Sequence, residues 1–347
     1  MKVLKFGGTS MGSVESLVLI AKIIKENLDN SVQMIIACSA MSGVTNNLIE
    51  IGHLAENNNE ESAIDLYNNI KNRHFETAEA LGIKSEFEKQ TTHLFQDLQN
   101  LIRGISLIRE FSERSNAYLQ SFGERFSTRL LTAYLNKLNI NARQFDSGFI
   151  KTQGINFTVD EIDWEKTIDE TNKILSQSIE KNEIPIVTGF FGTNKQGVIS
   201  LIGRGGSDLT GAVLTVCMGW KTLEIWTDVD GFLTADPRIV KNARIIDEIG
   251  FQEASELCFF GAKVLHPKTI RPVIDLDGEV WIKNTFNANN PGTRIKRKAE
   301  ENKYAVISIS SKKSAWYLWI YSLHRKTENR YFQTCLFWLN NKIFPSI

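Results

Sequence analysis

An apolar run at residues 3–6 gives way at Gly7-Gly8 to a turn, and the turn to apolar positions spaced for a helix: Val14, Leu17, Val18, Ala21, Ile24 and Leu28. Such a stripe fits one face of a 3.6-residue period, and Ser13 stands where an N-cap side chain accepts the first free amides. A second apolar run at 34–37 repeats the scheme. It is followed by a small-residue loop at 39–44, by Thr45 as the expected cap, and by Leu48 and Ile51 on the next helix. From about 57 to 139 the pattern is helical, polar and free of proline, which predicts a largely helical insertion at about 50–140. Apolar runs return at 141–145, 184–189, 198–202 and 223–227, with a buried helix over 209–218 and a turn at Asp230-Gly231. This alternation predicts an α/β fold with a mainly parallel central sheet sandwiched by helices. Ligands of such sheets lie beyond the carboxyl ends of the strands. The loops after Phe6, Ala37 and Ile202 fit that place.

The chain has 347 residues, enough for one large α/β domain or two smaller ones. Its 40 Lys+Arg balance 40 Asp+Glu, so charge gives no reason to expect nucleic acid or an anionic membrane as partner. No apolar run approaches a membrane span. The N-terminus enters a strand at once, without the apolar core of a signal peptide, and a cytoplasmic protein is expected. Cys38, Cys217, Cys258 and Cys335 show no CxxC spacing, which reads as free thiols and no metal site.

Six short segments carry the residues able to do chemistry. Gly7-Gly8, with Thr9, lets backbone amides approach a phosphate chain, and Lys5 at the strand end neutralises charge. It is neither a GxxxxGK[ST] loop nor a GxGxxG turn. Ser39-Ala40-Met41-Ser42-Gly43-Val44-Thr45 offers hydroxyls and amides to an anion, or is plain capping. In Ser121-Phe122-Gly123-Glu124-Arg125, Glu124 can bind an ammonium group or stand solvated on a helix. Gly203-Arg204-Gly205-Gly206-Ser207-Asp208 sets an arginine able to grip a carboxylate beside an aspartate able to hold lysine ammoniums; a capped surface turn is the plainer reading. Thr227-Asp228-Val229-Asp230-Gly231, continued by Asp236-Pro237-Arg238, offers a strand end and turn to a base and ribose, with turn aspartates as the alternative. Gly261-Ala262-Lys263-Val264-Leu265-His266-Pro267 places a lysine in an apolar stretch, which favours a paired anion. His266 reads as a helix-end residue rather than a base.

Taken in order, KFGGTS, SAMSGVTN, SFGER, GRGGSD, TDVDG with DPR, and GAKVLHP resemble the aspartokinases, within the amino-acid kinase superfamily, over roughly residues 1–295. The resemblance implies phosphorylation of L-aspartate by ATP to 4-phospho-L-aspartate and ADP, the first step of lysine, threonine and methionine biosynthesis. It implies the carbamate kinase-like fold, with a catalytic domain at 1–295 divided into an aspartate side at about 1–190 and an ATP side at about 191–295. It assigns Lys5, Asp208 and Lys263 to catalysis, and Ser39, Thr45, Glu124, Arg204 and Ser207 to the substrate. Lys5, Gly7, Gly8, Thr9, Thr227, Asp228, Arg238, Lys263 and Val264 would line the ATP site, with Leu233 where the family has an aromatic. Mg²⁺ would come bridging the ATP phosphates, with no metal site in the protein. The acceptor carboxylate is already ionised at neutral pH, so positioning and charge cancellation are the expected means of catalysis. L-aspartate and ATP are the expected partners, and a homo-oligomer is left open. The alternatives are a kinase of glutamate, acetylglutamate or carbamate, and a catalytically silent homologue.

The resemblance also implies paired ACT modules after the kinase domain. Residues 296–347 stand in their place as a remnant or aberrant segment. Residues 307–311 suit a first ACT strand, but 312–347 hold three of the seven tryptophans without a clean period. A chain truncated or shifted in frame, lacking feedback inhibition by lysine or threonine, is expected.

Overall fold

The computed structural model describes residues 1–203, 205–260, 264–299, Ser308, 316–319 and 334–337. Arg204, Lys263 and most of the tail, including the expected ACT strand apart from Ser308, lie outside the described residues.

Strand β1 (Lys2–Phe6) leads to helix α1 (Val14–Asp29), β2 (Met34–Cys38) and α2 (Val44–Glu56). Three long helices follow: α3 (Glu60–Ala80), α4 (Lys84–Ile108) and α5 (Glu113–Lys137). Then come β3 (Ala142–Phe145), α6 (Trp164–Glu180), β4 (Ile184–Thr188), the short β5 (Phe191–Thr193) and β6 (Ile199–Leu201), and α7 (Gly206–Cys217). The core ends with β7 (Thr222–Thr227), β8 (Glu248–Gly250), α8 (Phe251–Phe260), α9 (Pro267–Asp275), β9 (Glu279–Asn284) and β10 (Thr293–Lys296). Trp316–Trp319 and Thr334–Phe337 pair as a separate antiparallel ribbon.

One sheet of eight strands, in the order β3-β4-β2-β1-β7-β9-β10-β8, carries the fold. Its pairings are parallel except that β9 and β10 run antiparallel. Alternate side chains point to opposite faces of a strand, and the sequence uses both. Leu4, Phe6, Ile36, Cys38, Ile186 and Trp226 pack into the core beneath α1–α5. Val3, Ile35, Ala37, Val187, Leu223 and Ile225 pack into the core beneath α6, α7 and α9. With both faces covered, β2 and β4 are buried at every position and show no polar alternation.

Several local expectations change. Ser13 caps α1 as expected, in a reciprocal box with Ser16, but Leu28 is exposed and Ile20 and Ile23 take the buried positions. Thr45 is not the cap of α2; the helix begins at Val44 behind Gly43, whose φ is +82°. The run at 198–202 is no sheet strand: β6 pairs only with β5, in a hairpin outside the main sheet. Ser207 and Asp208 belong to the first turn of α7, which starts three residues earlier than the pattern suggested. No helix among the described residues is long and apolar enough to cross a membrane.

Candidate functional site

Strands β1 and β2 are paired neighbours that end together, Phe6 opposite Cys38. The loops leaving them pack on each other: Ser39 N–H donates to Phe6 O, and Ser42 N–H to Gly8 O, both at 3.0 Å. The N-terminal turn of α7 and the start of the β5–β6 hairpin close the other side. Between them lies a cavity of about 380 Å³, lined by Lys5, Gly8, residues 39–43, Thr45, Asn46, Glu124, Phe190 and residues 205–208.

Lys5 points from β1 towards α7 and is 8% exposed. Its Nζ lies 2.6 Å from Asp208 Oδ1. The contact is an ion pair, charge against charge, and Oδ1 has no hydrogen-bond partner. A lysine so deep needs such a partner, because an unpaired buried charge is costly. Asp208 and Ser207 are placed by Gly205, which caps α7 at φ +72°, a conformation open to glycine at no steric cost. The free amides and dipole of this helix start favour an anion in the cavity.

Glu124 comes from α5 and is 2% exposed. A Cβ on the preceding Gly123 would stand 2.7 Å from Ala40 Cβ. Its absence lets α5 close on the β2 loop, so that Ala40 N–H donates to Glu124 Oε1 at 3.1 Å. Oε2 has no partner. Burial pushes the carboxyl up to about 8, against the hydrogen bond from Ala40 and the charge of Lys5. A dry carboxyl with an unused oxygen is a socket for a cationic group. Nearby Cys38 is fully buried, and burial pushes its thiol up, away from the reactive thiolate.

The glycine pair needs a correction. Gly7 N–H donates to Trp226 O at 3.0 Å, so it is already committed to the backbone. Of the pair, Gly8 lines the cavity. Thr9 is exposed. Ser10 Oγ reaches Trp226 O at 3.3 Å and Thr285 Oγ1 at 2.7 Å, which ties this turn to the far end of β7.

The cavity thus gathers Lys5, Gly8, Ser39, Thr45, Glu124, Ser207 and Asp208. Of the residues read as nucleotide contacts it holds Lys5 and Gly8, and does not gather Thr227, Asp228, Arg238 or Val264. Thr227 Oγ1 donates to Asp228 Oδ1 at 3.1 Å at the end of β7. Asp230 Oδ1 accepts from Asn284 and Asn287, so it is a turn aspartate. Arg238 is turned to Asp236 at 2.7 Å with its side chain 88% exposed. Val264 is half-buried against the second core. Among the described residues no group of three or more His, Cys, Asp or Glu is placed to hold a metal ion.

Sequence reasoning missed Phe190. It lines the cavity at φ +75°, a conformation rare for a bulky side chain. Ile202 N–H donates to its carbonyl, and its N–H donates to Thr210 Oγ1, both at 3.0 Å. No sequence signal marks such a residue. Also missed was Asp146, which accepts from Arg125 at 3.2 Å and Arg129 at 3.0 Å and braces α5 against the end of β3.

Known proteins resemble this arrangement. Aspartokinase 2, chloroplastic, of Arabidopsis thaliana is 40% identical over 320 residues, which cover 90% of this chain and 57% of that protein. The crystal structure of E. coli aspartokinase III in complex with aspartate and ADP matches at a TM-score of 0.77 and 30% identity, over 87% of this chain and 66% of that one. The same E. coli enzyme in complex with lysine and aspartate matches at 0.78, again at 30% identity and with the same coverage. The chain spans a little over half the length of the Arabidopsis relative. The model of the amino acid kinase family covers residues 1–284, the whole sheet but for β10 together with every residue lining the cavity, and the chain belongs to the amino acid kinase family.

Proposed function

We propose that this protein is an aspartate kinase, transferring the γ-phosphoryl group of ATP to the side-chain carboxylate of L-aspartate. One observation carries the reading: a single cavity holds an unpartnered carboxylate oxygen on Glu124, the Lys5–Asp208 ion pair and the hydroxyls of Ser39, Thr45 and Ser207. Aspartate needs one anion for its ammonium group and several donors for its two carboxylates, and no more than that. The 40% identity to an Arabidopsis aspartokinase and the likeness to an E. coli aspartokinase that binds aspartate and ADP support the same substrates.

In this reading the ammonium group enters against Glu124 Oε2 and draws the carboxyl into its ionised form. Ser39, Thr45 and the start of α7 hold the carboxylates, with Arg204 assigned to them by the resemblance. Attack brings one anion onto another. A carboxylate oxygen forms the new bond to phosphorus, the bond to the ADP oxygen breaks, and its electron pair leaves with ADP. No proton moves. Lys5 lies where the two anions meet and cancels charge that grows in the transition state; Asp208 keeps its ammonium group in place. Thr227, Asp228, Val264 and Lys263 complete the nucleotide side, and Arg238 joins it by leaving Asp236. Among the described residues no group of three or more His, Cys, Asp or Glu is placed to hold Mg²⁺; the ion would arrive on the ATP phosphates. A catalytic unit at 1–295 and a cytoplasmic setting belong to the same proposal, although the Arabidopsis relative is named chloroplastic.

ATP-dependent formation of aspartyl phosphate, trapped with hydroxylamine, tests it. Trapping with glutamate or acetylglutamate in preference to aspartate would overturn the assignment.

A further inference from the structure

Arg73 lies on α3, in the polar helical stretch, and does not line the cavity. Its guanidinium nevertheless holds both cavity loops at once. Nη1 donates to Ser42 O at 2.6 Å, and Nη2 donates to Gly12 O at 2.8 Å. Ser42 belongs to the loop after β2, and Gly12 to the turn after β1. Beyond the strand ends, these loops share the single backbone bond from Ser42 to Gly8. The planar fork of an arginine spans two neighbouring acceptors, which the compact ammonium of a lysine does not.

The direction of these bonds matters. In a trans peptide the C=O and the following N–H point opposite ways. Ser42 C=O is drawn outward to Arg73, so Gly43 N–H is turned the other way, in a residue that lines the cavity. Gly12 C=O is drawn out likewise, and the next amide, Ser13 N–H, closes the cap of α1 on Ser16 Oγ at 3.0 Å. The anchor is firm. Thr77 Oγ1 donates to Arg73 O at 2.8 Å, and the adjoining His74 is packed between Phe87 and Phe126.

We propose that Arg73 is a positioning residue that locks the two loops in register, fixing the distance between the amino-acid side and the phosphate side of the cavity. The loop coupling stands on this geometry alone; its kinetic consequence rests on the aspartate kinase reading.

Amide hydrogen exchange on the full chain, wild type against Arg73→Ala and Arg73→Lys, tests the coupling. Exchange is expected to rise together at residues 8–13 and 39–44 in Arg73→Ala, and less in Arg73→Lys. A rise in one loop only, or in neither, overturns the proposal whether or not the wild type phosphorylates aspartate. In the hydroxylamine assay Arg73→Ala is expected to lose ~10- to ~100-fold in kcat, as for a misplaced reacting pair, with smaller changes in both KM values and an unchanged melting temperature. Millimolar guanidinium should restore part of that loss in Arg73→Ala and nothing in the wild type. A loss that follows a lower melting temperature and resists guanidinium would reduce Arg73 to a scaffold contact and overturn the proposal.

Discussion

Replacing Glu124 by glutamine isolates the energetic cost of an empty substrate socket. The folded carboxyl titrates at about 8 and the unfolded one at its ordinary 4.5. Between these values the folded chain keeps a proton that the unfolded chain has released, so stability falls as pH rises through this window. Each pH unit corresponds to ~1.4 kcal/mol. About 2.5 units lie between pH 5.5 and 8, so the wild type should lose ~3 kcal/mol over that span through this group. Glutamine keeps an oxygen for Ala40 N–H and carries no charge. Without substrate, Glu124→Gln should therefore gain on the wild type by ~3 kcal/mol when urea unfolding at pH 5.5 is compared with unfolding at pH 8.5. Other titrating groups are common to both proteins and drop out of the difference. The variant should also lose at least ~10²-fold in kcat/KM for aspartate, because the ammonium group would enter a buried site without a counter-charge. A stability gap identical at the two pH values would refute the reasoning, and so would a variant that is stabilised yet retains its KM for aspartate.

Three further outcomes are expected. Lys5→Ala should lower kcat by ~10²- to ~10³-fold, the range for removal of one transition-state donor; full kcat in the variant would remove Lys5 from the chemistry. Gly123→Ala places a methyl group 2.7 Å from Ala40 Cβ, so it should cost ~1–3 kcal/mol by overpacking and raise KM for aspartate; an unchanged melting temperature and KM would show that α5 need not sit so close. His74 is fully buried, and burial pushes its imidazole down from 6.5 to about 4. The stability it contributes is present above pH 6.5 and is lost as pH falls towards 4, by ~3 kcal/mol, so His74→Phe should flatten the acid limb of a urea-midpoint profile. Parallel profiles for the two proteins would rule that out.

The sequence made the sheet legible because buried parallel strands need continuous apolar runs, and it made the loops legible because phosphate and carboxylate binding need glycine and small hydroxyl residues. It misplaced what depends on pairing. The 198–202 run is as apolar as a sheet strand, yet it folds back on β5, and nothing local encodes that partner. Gly7 looks like an amide donor until Trp226, 219 positions later, takes its hydrogen. Arg73 and Asp146 are ordinary polar residues whose partners lie elsewhere in the chain. Phe190 lines the cavity at a backbone angle that residue type does not reveal. The helical stretch read as an insertion supplies Glu124 to the cavity and Arg73 to the two loops beside it.

The place of β1 in the sheet governs how the molecule is made. Strand β1 lies in the middle of the sheet, with β2 on one edge and β7 on the other, Val3 opposite Leu223. Its second edge stays open until β7 has been synthesised, and Lys5 has no partner carboxylate until Asp208 of α7 has. The cavity therefore closes only after those later segments have been made, through contacts of long sequence separation that are slow to form. Until then an apolar edge strand stands bare, and that interval is when this chain is most open to mispairing with another copy of itself.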